Sequence, residues 1–86
     1  MEEYYIAVFK SRTQSIKFYD KLKQKRTNVF IINTPSKANL GCGLSVKFFK
    51  ENLNCVKNLL ALESYYSFAG LFLASGIGNA LKLKPI

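Results

Sequence analysis

Gly41-Cys42-Gly43 is the stretch of this sequence best suited to chemistry. Sulfur attacks as the thiolate, so surroundings that favour the anion activate a cysteine. Glycine adopts backbone angles closed to other residues. Two glycines around one cysteine let successive N–H groups converge on the sulfur as an anion-binding nest. The other cysteine, Cys55, lies beside Leu53 and Val56 in a helical pattern and reads as packing. The strand expected between the two thiols, about five or six residues at about 3.3 Å each, spans roughly 17 Å. That is beyond disulfide reach. The sequence has no histidine, which removes a Ser–His or Cys–His nucleophile pair and the usual acid–base group. Two thiols alone do not make a zinc site. The expectation is thiol chemistry without a positioned acid or base: not an enzyme in the ordinary sense, with no metal and no cofactor.

The elements that must hold such a loop can be read from periodicity. Tyr4-Tyr5-Ile6-Ala7-Val8-Phe9 is aromatic and β-branched, the pattern of a buried strand. Ser11 with Gln14 three residues later is a capping box, and Ile16, Tyr19 and Leu22 then recur at helical spacing, with Lys17, Asp20, Lys21 and Lys23 around the other side. Val29 to Ile32 is a second strand, ended by Thr34-Pro35 because proline cannot continue a ladder. Leu44, Val46 and Phe48 alternate with Ser45 and Lys47, a third strand with one wet face. A second helix opens at Glu51 and Asn52 and buries Leu53, Val56, Leu59 and Leu60, and a fourth strand covers Ser67 to Leu73. The order strand, helix, strand, strand, helix, strand predicts an α+β, ferredoxin-like βαββαβ fold. Its four-stranded antiparallel sheet has the order 4-1-3-2 and both helices on one face. Residues 1–75 make this domain, and 76–86 are a C-terminal tail whose structure the pattern leaves open. Tyr5, Ala7 and Phe9 are candidates to line the uncovered face, and a bare apolar face calls for a partner.

In that topology the loop before the third strand and the start of the first helix share one end of the sheet. The helix N-terminus carries unpaired N–H groups and positive partial charge, and Lys10, Ser11 and Arg12 surround it. These residues are the candidates to stabilise a Cys42 thiolate.

Thirteen Lys and Arg against five Asp and Glu leave a net charge of +8 on 86 residues. A basic domain attracts nucleic acid, acidic proteins or anionic surfaces. The acidic start Met1-Glu2-Glu3 leads into no long apolar run, which predicts no signal peptide, a reducing cytoplasmic setting and free thiols. The uncharged stretch Ser64 to Leu81 is diluted by serine, asparagine and glycine, so no membrane partner is expected. An alternative reading is a basic binding module for RNA or a protein partner with no chemistry, with Tyr5, Phe49, Lys47 and Arg12 as its surface. Against it, Leu44 to Phe48 lacks the aromatic-glycine signature of that class.

Tyr5-Ile6-Ala7-Val8-Phe9 with Ser11-Arg12-Thr13, then Asn33-Thr34-Pro35, then Cys42-Gly43-Leu44 and the basic strand Ser45-Val46-Lys47-Phe48 resemble the selenium/sulfur carrier protein-like family, over about residues 4 to 62. The resemblance implies that Cys42 is a carrier thiol accepting a persulfide or selenosulfide, with Thr34, Pro35 and Gly43 shaping its loop, beside the backbone N–H groups that Gly41 and Gly43 offer by their residue type. It implies a sulfur or selenium donor such as a cysteine desulfurase, and an acceptor enzyme; a homodimer and nucleic acid are further candidate partners. The chain departs from the family after the second helix, where Ser64 to Ile86 is longer, glycine-rich and apolar.

Overall fold

A computed structural model describes residues 3–38 and 43–86, with Asn79 described by its backbone alone. The elements are β1 (Tyr4–Phe9), α1 (Arg12–Gln24), β2 (Phe30–Asn33), β3 (Leu44–Phe48), a 3-10 turn over Lys50–Asn52, α2 (Leu53–Leu62), β4 (Phe68–Ser75), a second 3-10 turn over Gly78–Ala80, and β5 (Lys82–Pro85). All strand pairs are antiparallel and the sheet order is β2-β3-β1-β4-β5. The first four strands thus take the expected order, but the sheet has five strands rather than four. The chain reverses after Ser75, and Lys82–Pro85 pairs with β4. Lys82, Leu83 and Lys84 alternate as an edge strand should. Among the described residues no helix is long and apolar enough to cross a membrane.

Strand pairing sets which side chains share a face. Ala7 lies opposite Val46 on one side and Leu71 on the other, and all three belong to the core that α1 enters with Phe18 and Leu22 and α2 with Val56 and Leu59. Tyr5, Ala7 and Phe9 therefore look toward the helices, not toward an open face. Tyr5 stacks on Phe48 with ring centroids 5.5 Å apart, and Phe9 meets Phe18 at 5.0 Å, Tyr65 at 5.6 Å and Phe68 at 5.5 Å. Burying one such ring stabilises by roughly 2–3 kcal/mol, so this cluster holds α1 onto the sheet.

The first helix begins as its cap residues dictate and then departs from expectation. The Ser11 hydroxyl accepts the Gln14 N–H at 3.3 Å. The Gln14 side chain does not reach back to complete the box; its carbonyl oxygen accepts from the Ser67 N–H and hydroxyl, pinning the start of β4 to the first turn. The inward residues are Ser15, Phe18 and Leu22, while Ile16 points outward at 39% exposure. The helix ends by bonding the Arg26 N–H to the Lys23 carbonyl and the Thr27 N–H to the Leu22 carbonyl. This C-terminal motif usually places glycine where Arg26 sits, and Arg26 adopts φ +60°.

The second face of the sheet is not bare. Ile6, Val8, Ser45 and Ala74 point there, and each is fully buried. The expected wet face of β3 is corrected accordingly, since Ser45 has no exposure and Lys47 little.

Candidate functional site

Gly41 and Cys42 lie outside the described residues; the frame around their loop does not. Thr34 and Gly43 close its base, the Thr34 N–H donating to the Gly43 carbonyl at 2.8 Å. The Thr34 and Ser45 hydroxyls are 2.6 Å apart, which turns Thr34 toward the second face. Pro35 starts a turn, its carbonyl accepting the Ala38 N–H at 3.0 Å, and Ala38 is buried. Lys37 then donates to the Leu81 carbonyl. Leu81 precedes β5, at the end of the sheet opposite to Thr34. Residues 34–38 are therefore fastened at two places, to β3 through Thr34 and to the residue before β5 through Lys37. The face expected to be open to a partner buries Ile6, Val8, Ser45 and Ala74.

Gly43 has φ +93°, and among the described residues beyond its chain neighbours no atom lies within 4 Å of where a β-carbon would stand. Glycine is needed there for the backbone angle.

The first turn of α1 stands at the same end. The buried Ser15 hydroxyl lies 3.2 Å from the Leu44 carbonyl and 3.3 Å from the Ser11 carbonyl, joining the helix start to the first residue of β3. Val8 pairs with Ser45, so Lys10, Ser11 and Arg12 emerge beside that residue's end of β3. Lys10 donates its backbone N–H to the Ser67 carbonyl at 2.8 Å, and the Lys10 and Arg12 side chains are exposed. Of the residues singled out in the sequence, Thr34, Pro35, Gly43, Lys10, Ser11 and Arg12 thus gather at one end of the sheet. Ser15, Ser45 and Lys37 complete the frame and were not legible beforehand. A serine at an inward helix position is the signal for Ser15; nothing local marks Lys37.

Cys55 is half-buried and packs against the core beside Leu53. The four residues of the binding-surface reading do not share a face. Tyr5 lies under the helices, whereas Phe49 joins Phe30 and Tyr4 around the Lys47 ammonium, which sits 4.5 Å from the Tyr4 ring, 5.4 Å from Phe49 and 6.0 Å from Phe30. Lysine over three rings is held by cation–π attraction. At the edge of the aromatic cluster, Tyr65 donates to Glu63, which also pairs with Lys21 at 3.4 Å. Burial first, then the Glu63 charge and hydrogen bond, push the Tyr65 phenol up to about 12.

No curated protein and no solved structure matches the chain. The sequence signature itself does have a counterpart: a family model described as putative Se/S carrier protein-like matches residues 4–71. The match starts with β1, runs through the thiol loop and both helices, and stops inside β4. The turn at Gly76 and the strand β5 lie beyond it. With more than three quarters of its length covered in this way, the chain belongs to the Se/S carrier protein-like family.

Proposed function

We propose that this protein carries sulfur or selenium on Cys42, as a persulfide or selenosulfide taken from a donor enzyme and passed to an acceptor. The observation that supports this most is the family match across the whole thiol loop. The frame agrees with it: a loop base closed by Thr34 and Gly43, with the positive end of α1 and the exposed Lys10 and Arg12 at the same end of the sheet. We read β1 to β4 and the two helices as a ferredoxin-like unit extended by β5, working in a reducing cytoplasm. The domain is not an enzyme in this reading.

The step is a sulfur exchange. The Cys42 thiolate attacks the terminal sulfur of a persulfide on the donor, of the kind a cysteine desulfurase forms. The donor's S–S bond breaks, its thiolate leaves with the electron pair, and a new S–S bond makes the Cys42 persulfide, with no net oxidation. Attack by the acceptor's thiolate on that terminal sulfur repeats the exchange. Rates follow the thiolate fraction and access of the attacking sulfur. A selenium cargo replaces the terminal sulfur atom and leaves the electron count unchanged.

Two measurements test this. Protein purified without reductant gains about 32 Da, one sulfur atom, on the Cys42 peptide after incubation with a desulfurase and cysteine. Limiting iodoacetamide labels Cys42 at least about tenfold faster than Cys55 near neutral pH. Arg12→Ala slows labelling of Cys42 at neutral pH and not at about pH 10, where the thiolate forms unaided. Equal labelling of the two thiols, or no mass gain on Cys42, refutes the carrier reading.

A further inference from the structure

The two edges of the sheet are built differently. In an antiparallel pair, directly opposed residues alternate between those that exchange hydrogen bonds and those whose N–H and C=O point away. The Thr34 N–H bonds to the Gly43 carbonyl, so Thr34–Gly43 is a bonded pair. Counting back along the register, Ile32–Ser45 and Phe30–Lys47 are bonded as well. Ile31 and Asn33 therefore turn their N–H and C=O groups outward, and among the described residues nothing meets them. At the other edge the Ile86 N–H bonds to the Leu71 carbonyl. The same alternation turns Leu83 and Pro85 outward. Proline has no N–H to offer, and exposed Lys82 and Lys84 flank the one remaining donor. Lysine and proline on an edge are how proteins block unwanted strand addition. The β5 edge carries both; Phe30-Ile31-Ile32-Asn33 carries neither.

Charge says what the unguarded edge suits. From residue 21 to residue 50 there is no Asp or Glu, while Lys21, Lys23, Lys25, Arg26, Lys37, Lys47 and Lys50 all fall in that span. It contains β2, both of its flanks and its one neighbouring strand, β3. Lys47 is pinned beside Phe30 on the second face. A second copy of this chain would bring the same positive charge to the same edge, which opposes pairing.

We propose that the outer edge of β2 accepts an added strand from a partner protein, an extended segment that alternates acidic with β-branched residues. The segment's backbone pairs with the outward N–H and C=O groups of Ile31 and Asn33, and its carboxylates meet the basic surround. This is strand addition to an open sheet edge, in which the main chain supplies affinity and side chains supply selectivity. The site stands whether or not Cys42 carries sulfur, because it uses no atom of the thiol loop.

The test uses the full chain labelled for amide NMR and a capped synthetic heptapeptide alternating glutamate with valine. The peptide is expected to shift the Ile31 and Asn33 amides saturably and to slow their hydrogen exchange by about tenfold or more. A peptide with lysine in place of glutamate, and a glutamate peptide N-methylated at alternate amides, are each expected to bind at least about tenfold more weakly. Asn33→Pro removes one outward donor at an exposed position where a strand tolerates proline. It is expected to lose binding with an unchanged circular dichroism spectrum. If Asn33→Pro does not fold, the N-methylated peptide still decides the matter. Equal binding by the N-methylated peptide shows mere charge attraction and overturns the proposal. So do shifts at Leu83 in place of Ile31, tighter binding of single-stranded RNA at the same amides, or protection of those amides by self-association without peptide.

Discussion

Replacing Gly43 by alanine isolates the cost of a backbone angle, and replacing Gly76 by alanine adds a collision to the same cost. Gly43 sits at φ +93°, and no described residue beyond its chain neighbours stands within 4 Å of the missing β-carbon. A left-handed angle costs a side-chain-bearing residue roughly 1–2 kcal/mol. Gly76 sits at φ +87°, but a β-carbon there would stand 2.4 Å from the Ala80 carbonyl oxygen and 3.0 Å from its carbon. That is about 1 Å short of ordinary contact, and a forced backbone shift adds roughly 1–3 kcal/mol. Gly43→Ala is therefore expected to lose about 1–2 kcal/mol and Gly76→Ala about 2–5 kcal/mol. Each kcal/mol moves the melting temperature of a domain this size by about 4–8 °C, so thermal denaturation separates the two. The displacement at Gly76 has a second consequence, because Ala80 precedes Leu81, whose carbonyl holds Lys37. Gly76→Ala should loosen the Lys37–Leu81 bond and with it the turn before Ala38, read as faster exchange of the Ala38 amide, whereas Gly43→Ala should leave Lys37 in place. Equal losses in the two variants would refute the collision. A Gly43→Ala protein as stable as the parent would refute the backbone argument for the loop.

Arg26 occupies a left-handed position that glycine takes at lower cost, so Arg26→Gly should stabilise by roughly 0.5–1 kcal/mol despite losing a side chain; a lower denaturant midpoint would show that the Arg26 side chain does more than the structure shows. Tyr65 binds its proton more tightly when folded, its phenol rising from 10.0 to about 12. Its contribution is thus complete below pH 10 and is lost as pH climbs toward 12, because the unfolded phenol ionises first. Tyr65→Phe should flatten the fall in stability over that window relative to the parent, and an unchanged alkaline limb would contradict the assignment.

Much of the architecture was legible because local signals agreed with one another. The β-branched run of β1, the Ser11 cap and the position of β3 all appear where their residue types require, although both faces of β3 are covered. What escaped reading involves partners distant in sequence. Ile16 and Phe18 are both apolar, and only the position of the sheet decides that Phe18 turns inward. Gln14 completes a capping box by sequence, yet Ser67, 53 positions along the chain, draws its side chain away. Lys82-Leu83-Lys84-Pro85 has a strand's alternation but looks like a basic tail until β4 is placed beside it.

The same distinction bears on the candidate site. Composition marks the thiol loop, because two glycines around a cysteine are a local feature. How that loop is tethered depends on a lysine reaching a backbone carbonyl 44 residues later. The tether's acceptor, Leu81, lies outside the family match, in the segment that also supplies the guarded edge. The segment beyond residue 71 therefore does two things: it adds a strand whose Lys82, Lys84 and Pro85 resist pairing at one edge, and its Leu81 carbonyl anchors Lys37. With that edge guarded, the outer edge of β2 is the edge left to pair among the described residues, and β2 leads straight into the loop that holds Cys42.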